Sequence, residues 1–230
     1  MSETILYGFF GTLILYLLFL PVYRRRKLII LHPNIASTAI LMFILFFFDI
    51  PYEVYYEGAQ YISSFLGISI VVLAVPMYEN LEILLKHLKP MALASIASIW
   101  ASFLSISILA KLLGLSSFLT ISLLPKSITT AMAIEASGMI GGSTGAAVLG
   151  VMVTGIGGAI LGRFLLTLIG IRKPLARGCA LGMASHVMGT SQALEEGTLT
   201  GAYSALSIPL NGLLTILHLP LFQWLISLMY

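Results

Sequence analysis

Long apolar runs separated by short polar breaks organise the first half of the chain. Each approaches the roughly 20 apolar residues that a membrane-spanning helix needs. The runs cover residues 5–22, 28–48, 61–78 and 91–110. Four arginines and lysines at positions 24–27 follow the first run, whereas the acidic, tyrosine-rich loop 49–57 contains neither residue type. Because cationic loops stay in the cytoplasm, the pattern predicts an outer N-terminus and an inner basic cluster.

The composition supports a membrane protein and excludes several functional classes. Hydrophobic residues make up 59% of the 230 residues and charged residues only 9%, whereas soluble domains carry about 25% charged residues. A cytosolic enzyme and a nucleic-acid-binding module are therefore excluded, and the lipid bilayer is the expected surrounding. The length allows about seven or eight crossings. The single cysteine, Cys179, rules out an intrachain disulfide, and no residue spacing predicts a catalytic nucleophile, a metal or a cofactor.

Glycine, serine and threonine become frequent from residue 116 onward. Small residues allow close helix packing and the broken helices that transporters place at the bilayer midplane. We therefore divide the chain into a scaffold and dimerisation region, residues 1–113, and a transport core, residues 114–230. Within the scaffold, leucines and charged residues recur at helical spacing in residues 79–90. This predicts a short amphipathic helix on the cytoplasmic surface, with a partner-docking helix as the alternative.

The core contains an internal repeat. Residues 130–135 align with residues 190–195 at an offset of 60, with identical threonine, alanine and glutamate positions. If residues 117–140 enter the membrane and return, the basic residues at 172–177 fall in the cytoplasm, and the second repeat is inverted. Inverted repeats with re-entrant or broken helices are typical of secondary transporters; a continuous but interrupted helix in each repeat is the competing geometry. The two repeats cover about residues 117–170 and 174–228.

The segment 124–130, Leu-Pro-Lys-Ser-Ile-Thr-Thr, has the composition of a half-helix N-terminus. Pro125 removes a backbone donor and disfavours helical geometry before it. The positive dipole end that follows attracts carboxylates, and Lys126 adds a full positive charge. The alternative is a proline kink with a lysine that reaches the membrane surface. The candidate substrate-binding residues of this segment are Lys126, Ser127, Thr129 and Thr130.

A second polar segment, residues 182–191, places a histidine in an apolar span. Ionisable residues in such spans are costly and indicate function by default, and histidine changes charge near neutral pH. His186 can bind a carboxylate, donate to a substrate hydroxyl or carry a coupled proton. A neutral histidine bonded to a carbonyl group is the structural alternative. The candidate substrate-binding residues here are Ser185, His186, Gly189, Thr190 and Ser191.

Two glutamates occupy matching repeat positions. Glu135 and Glu195 can pair with the buried cations or relay a proton together with His186. Exposure at a hairpin end without a function is the alternative, and the neighbouring Glu196 favours exposure for Glu195. The glycines among residues 155–158 are predicted to mark close helix packing.

Four segments carry a resemblance to a known family; they are residues 124–131, 140–142, 176–182 and 185–190. Their order and spacing resemble the LrgB/CidB family, which includes YohK-type bacterial proteins and the LrgB part of the plastidic glycolate/glycerate translocator. The early basic cluster and the segments 50–52 and 75–78 agree with it as well. The resemblance therefore covers nearly the whole chain.

The resemblance implies a multi-pass protein of a bacterial or archaeal inner membrane that carries small monocarboxylates such as glycolate, glycerate, pyruvate or lactate. Together with the repeat, it predicts an all-α carrier with alternating access to a midplane site, assembled as a homodimer and without enzymatic activity. It also implies an alternative function, antiholin-like regulation of murein hydrolase activity and autolysis together with an LrgA/CidA-type membrane protein.

Overall fold

The computed structural model describes residues 6–26, 28–72 and 74–230, and these ranges are helical without any β-strand. The chain divides into two compact units, Met1–Ser69 and Ile70–Tyr230. The prediction of an all-α fold is confirmed. The separate prediction of a scaffold before residue 114 and a transport core after it concerns function, and it stays a prediction.

The first unit consists of short helices. A π-helical turn (Leu6–Phe10) leads into α1 (Gly11–Arg26), and a 3-10 turn (Ile29–Leu31) precedes α2 (Pro33–Phe47) and α3 (Tyr52–Ser63). Pro33 occupies the first turn of α2, where a missing N–H is tolerated because that group has no partner inside the helix. The Thr12 hydroxyl lies 2.8 Å from the Tyr55 hydroxyl and joins α1 to α3. The short α4 (Leu66–Val72) crosses the boundary between the units.

The second unit contains the longest helices. Its elements are α5 (Ala74–Glu79), α6 (Leu81–Leu113), α7 (Ser117–Ser122), α8 (Thr130–Met139), α9 (Thr144–Leu168), α10 (Pro174–Glu196) and α11 (Thr198–Ser227). Residues 81–90 form the first turns of α6, so the predicted amphipathic segment is continuous with a long apolar helix. Helix α6 ends at Gly114, whose φ of 65° is left-handed and suits a glycine C-cap.

Aromatic packing joins α6 to α11 in the core of the second unit. The Phe103 and Phe222 rings stack with their centroids 4.4 Å apart, and Trp100 meets Phe222 edge-on at 5.1 Å. Such pairs add about 0.5–1.5 kcal/mol each beyond the burial of their area. Helix α6 therefore belongs to the same compact unit as the repeats.

Among the described residues, three continuous helices are long and apolar enough to cross a membrane. They are α6 (Leu81–Leu113), α9 (Thr144–Leu168) and α11 (Thr198–Ser227). A fourth candidate span, Tyr52–Glu79, combines α3, α4 and α5, and Pro33–Phe47 is a shorter apolar helix. These spans fit a multi-pass membrane protein.

Candidate functional site

Helix α10 is a hairpin of two half-helices. The break is at His186, whose φ of 43° and ψ of −126° lie outside the helical region. The Arg177 Nε donates to Glu196 Oε2 over 2.6 Å, although residues 19 positions apart in a straight helix would be about 28 Å apart. A β-carbon on Gly189 would overlap the Leu181 carbonyl oxygen, so only glycine allows the two arms to approach so closely. The chain therefore reverses direction here, as a hairpin does and a continuous but interrupted helix does not.

The first repeat has the same shape. The Ser143 backbone N–H donates to Ser122 Oγ over 2.7 Å, so the chain reverses between the end of α7 and the start of α9. Thr129 caps the returning arm, α8, by accepting from the Met132 N–H over 3.4 Å. Residues 123–129 between the two arms form the first tip, which contains Pro125 and Lys126.

Both tips reach the middle of α9. The Thr154 hydroxyl donates to the Lys126 carbonyl oxygen over 2.7 Å, and His186 Nε2 lies 3.2 Å from the Val151 carbonyl oxygen. On the same helix, a β-carbon at Gly155 would collide with His186, and one at Gly158 would collide with Ser185. These two residues lie at the tip of the second hairpin, called the second tip below. The predicted close packing is confirmed at Gly155 and Gly158, where the missing side chains admit the tip of α10, whereas a β-carbon at Gly157 would meet nothing within 4 Å.

Helix α11 bridges the two tips through one side chain. Asn211 Nδ2 donates to the carbonyl oxygens of Ser127 and Met183, at 3.4 Å in each case. Asn211 is 2% exposed, and its Oδ1 has no hydrogen-bond partner in the described part of the chain. Asn211 is not among the residues predicted from the sequence, although an amide in the middle of a long apolar helix is itself a signal.

The 60-residue offset between the two predicted repeats also relates the residues that make these contacts. It pairs Lys126 with His186, one at each tip, and it pairs Val151 of α9 with Asn211 of α11. Val151 contacts the second tip through its carbonyl group, and Asn211 contacts the first tip through its amide. Each of these two long helices therefore contacts both tips, and the inverted relation of the two repeats stays a prediction.

A cavity of about 590 Å³ opens beside the first tip, between α6, α9 and α10. Three predicted site residues line it, Lys126, Ser127 and Ser185. Lys126 Nζ donates to Ser127 Oγ over 3.2 Å, and among the described residues no carboxylate lies within 4.0 Å of that ammonium group. The cavity is therefore lined by a lysine that no carboxylate of the described residues neutralises.

The other predicted binding residues lie away from the cavity wall. Thr130 is exposed at the start of α8, and Thr129 is buried as its cap. The Thr190 hydroxyl donates to the His186 carbonyl oxygen over 2.9 Å, and Ser191 donates to Val187 over 3.1 Å. Thr190 and Ser191, together with Gly189 and the His186 ring, form the second tip. Their predicted contact with a substrate stays a prediction.

The two glutamates predicted to relay protons lie away from the tips. Glu135 is exposed on α8, and Glu195 lies 3.5 Å from Arg163 at the open end of the second hairpin. Beside it, the Glu196 side chain is 9% exposed and binds Arg177. The hydrogen bond from Arg177 lowers the pKa of the Glu196 carboxyl below its ordinary value of 4.5. No cluster of three or more metal-ligating His, Cys, Asp or Glu side chains occurs in the described ranges.

Comparisons with known proteins place these residues in a family context. The model of the LrgB-like family matches residues 12–225. YxaC of Bacillus subtilis is 37% identical over 214 residues, which are 93% of each chain. A protein of Haemophilus influenzae is 34% identical over 96% of each chain, and the holin-like protein CidB of Staphylococcus epidermidis is 31% identical over 91% of each. No solved structure matches.

Proposed function

The chain belongs to the LrgB-like family, and from this premise we propose that it is a membrane carrier for small monocarboxylates. Glycolate, glycerate, pyruvate and lactate are the candidate substrates. The fixed site lies where the two hairpin tips meet, and exposure of this site to either side in turn moves the substrate. The basic cluster at residues 24–27 stays in the cytoplasm of a bacterial or archaeal cell, with the N-terminus outside.

The proposal depends mainly on one observation, the position of the Lys126 ammonium group in the cavity wall. A charge inside a membrane protein is costly unless a counter-charge or water accompanies it. Lys126 lines the cavity and has no carboxylate partner among the described residues. A small organic anion supplies that counter-charge, and its arrival at the site offsets the cost of holding the lysine there.

The surrounding groups suit a carboxylate rather than a metal ion. The Ser127 and Ser185 hydroxyls face the same cavity as Lys126 and can donate to carboxylate oxygens. The first residues of α8 follow the tip, and their backbone N–H groups and dipole add positive potential. His186 positions the second tip through Val151. Its protonation, and that of Glu135 and Glu195, is the proposed route for a coupled proton.

Uptake into liposomes tests this proposal. Purified protein should take up labelled lactate, pyruvate or glycolate with saturation, and Lys126→Ala should abolish saturable uptake. Lys89→Ala removes an exposed lysine of α6 and should transport normally, which controls for net charge. Normal transport by Lys126→Ala would refute the site.

A second candidate function is holin-like or antiholin-like control of murein hydrolases with an LrgA/CidA-type membrane partner. The name of the Staphylococcus epidermidis relative favours it. This function needs partner contacts but no saturable site. A lysis phenotype that survives Lys126→Ala would support it, whereas loss of that phenotype together with transport would make regulation a consequence of transport. A homodimer is compatible with either function.

A further inference from the structure

The wall of the cavity that faces Lys126 comes from a helix that the sequence analysis placed in the scaffold. Three serines of α6 line the cavity, Ser98, Ser102 and Ser105. They stand at positions i, i+4 and i+7, so they share one face of the helix. Two other serines of α6 lie outside the cavity; Ser95 donates to the Met183 sulfur over 3.8 Å, and Ser107 is buried.

One of the three serines is connected directly to the charged group. Ser102 Oγ lies 3.1 Å from Ser127 Oγ, which in turn accepts from Lys126 Nζ over 3.2 Å. A chain of hydrogen bonds therefore connects α6 to the Lys126 ammonium group. Ser102 stands one hydroxyl away from the place where a carboxylate would bind.

The lining that α9 and α10 contribute is mostly apolar. Its larger side chains are Val153, Leu161, Leu165, Leu166 and Leu181, and its two hydroxyls belong to Thr154 and Ser185. The Thr154 hydroxyl donates to the Lys126 carbonyl oxygen. The cavity therefore combines a cation with the hydroxyls of α6 and a mostly apolar wall from α9 and α10.

We propose that the serine face of α6 (Ser98, Ser102 and Ser105) is the specificity wall of this site, and that Ser102 recognises the oxygen on carbon 2 of the substrate. In a 2-hydroxy or 2-keto acid, that oxygen is on the carbon next to the carboxylate. Ser127 is a proposed donor to the carboxylate, and Ser102 lies next to Ser127, so Ser102 is placed to reach the neighbouring oxygen. The remaining carbon atoms face the leucines of α9. The inference rests on the proposed carrier function, and it assigns specificity to α6 rather than to His186.

The same geometry predicts an order of affinity among small acids. A 2-oxygenated acid with an apolar remainder, such as lactate, satisfies both walls. Propionate lacks the hydroxyl and leaves Ser102 without a substrate partner, whereas glycerate carries a second hydroxyl toward hydrocarbon. Because Ser102 keeps Ser127 as a partner when propionate binds, the expected difference is the loss of one hydrogen bond to the substrate, about threefold to tenfold in affinity.

Competition for labelled lactate uptake tests the proposal in proteoliposomes. In the wild-type protein, unlabelled lactate should compete about threefold to tenfold better than propionate, and better than glycerate; Ser102→Ala should reduce the lactate-to-propionate ratio by about threefold to tenfold, the loss of one hydrogen bond. Ser102→Thr keeps the hydroxyl and should restore the ratio. Ser107→Ala removes a serine of the same helix outside the cavity and should leave it unchanged.

The outcomes separate this inference from the carrier function itself. Saturable lactate uptake with equal competition by propionate, or with an unchanged ratio in Ser102→Ala, overturns the role of α6 and leaves the carrier intact. Absence of saturable uptake for every acid overturns both. Equal yields and elution profiles of the variants in detergent exclude misfolding as the cause of a changed ratio.

Discussion

Replacing Gly158 by alanine should displace the tip of the second hairpin. A β-carbon at Gly158 would overlap Ser185 Oγ. Rotation of the hydroxyl cannot relieve the clash, because Ser185 Cβ itself would lie 2.5 Å from the new atom. Ser185 is 1% exposed, so neighbouring atoms enclose its side chain. The backbone of α9 or α10 must therefore move.

Two opposing terms set the size of the effect. Overpacking a tight contact costs about 1–3 kcal/mol, whereas alanine in place of glycine inside a helix gains about 1 kcal/mol. Gly145 supplies the matched control, since a β-carbon there would meet only Ser143 Oγ at 3.8 Å. Gly158→Ala should therefore be less stable than Gly145→Ala by about 1–3 kcal/mol, which corresponds to about 2–12 °C in Tm.

The single cysteine provides the assay. Cys179 lies in the same hairpin and is 4% exposed, so a maleimide that fluoresces on thiol addition should react only as the hairpin opens. Melting curves recorded with this reagent compare the two alanine variants directly. The double variant Gly158→Ala/Ser185→Gly removes the clashing side chain and should recover part of the lost stability.

Equal melting temperatures for Gly158→Ala and Gly145→Ala would refute the reasoning. They would mean that the second tip does not rest on the middle of α9. Recovery by Ser185→Ala as complete as by Ser185→Gly would locate the clash in the hydroxyl alone, contrary to the geometry.

Two further predictions concern contacts that hold the hairpins. Asn211→Ala removes the donor shared by both tips and should lower stability by about 1–2 kcal/mol, measured by the same maleimide curves. Arg177→Ala should lower the Tm near neutral pH and flatten its dependence on acid, followed by tryptophan fluorescence. The hydrogen bond from Arg177 lowers the pKa of Glu196. The stabilisation is therefore complete above pH 4.5 and disappears as the pH falls through the lowered pKa. If Arg177→Ala left the decrease of Tm at acidic pH unchanged, this prediction would be contradicted.

Much of the fold follows from local signals. Pro125 and the hydroxyl residues after it predict a break, because a proline in a helix interior removes one hydrogen bond and the serine and threonines that follow favour a new helix N-terminus. The side of the membrane on which Arg172 and Arg177 should lie favours hairpins over continuous helices. The glycine cluster at 155–158 indicates a close approach. Each of these signals lies within a few residues of the feature that it predicts.

The walls of the cavity depend on contacts that the sequence does not display. Ser102 meets a residue 25 positions away, and Asn211 meets residues 84 and 28 positions away. Serine is common in membrane helices, so the spacing of Ser98, Ser102 and Ser105 acquires meaning only when α6 faces Lys126. His186 shows the reverse case, since its polarity drew attention although its ring nitrogen binds a backbone carbonyl group.

Counterflow tests the central claim most directly, because it separates a carrier from a pore. Liposomes loaded with unlabelled lactate are diluted into a trace of labelled lactate. A site exposed to one side at a time returns loaded, so the label should rise transiently above its equilibrium level, and Lys126→Ala should abolish the rise. Uptake that only approaches equilibrium, at a rate proportional to concentration and unaffected by the internal load, would contradict the carrier and support a holin-like pore.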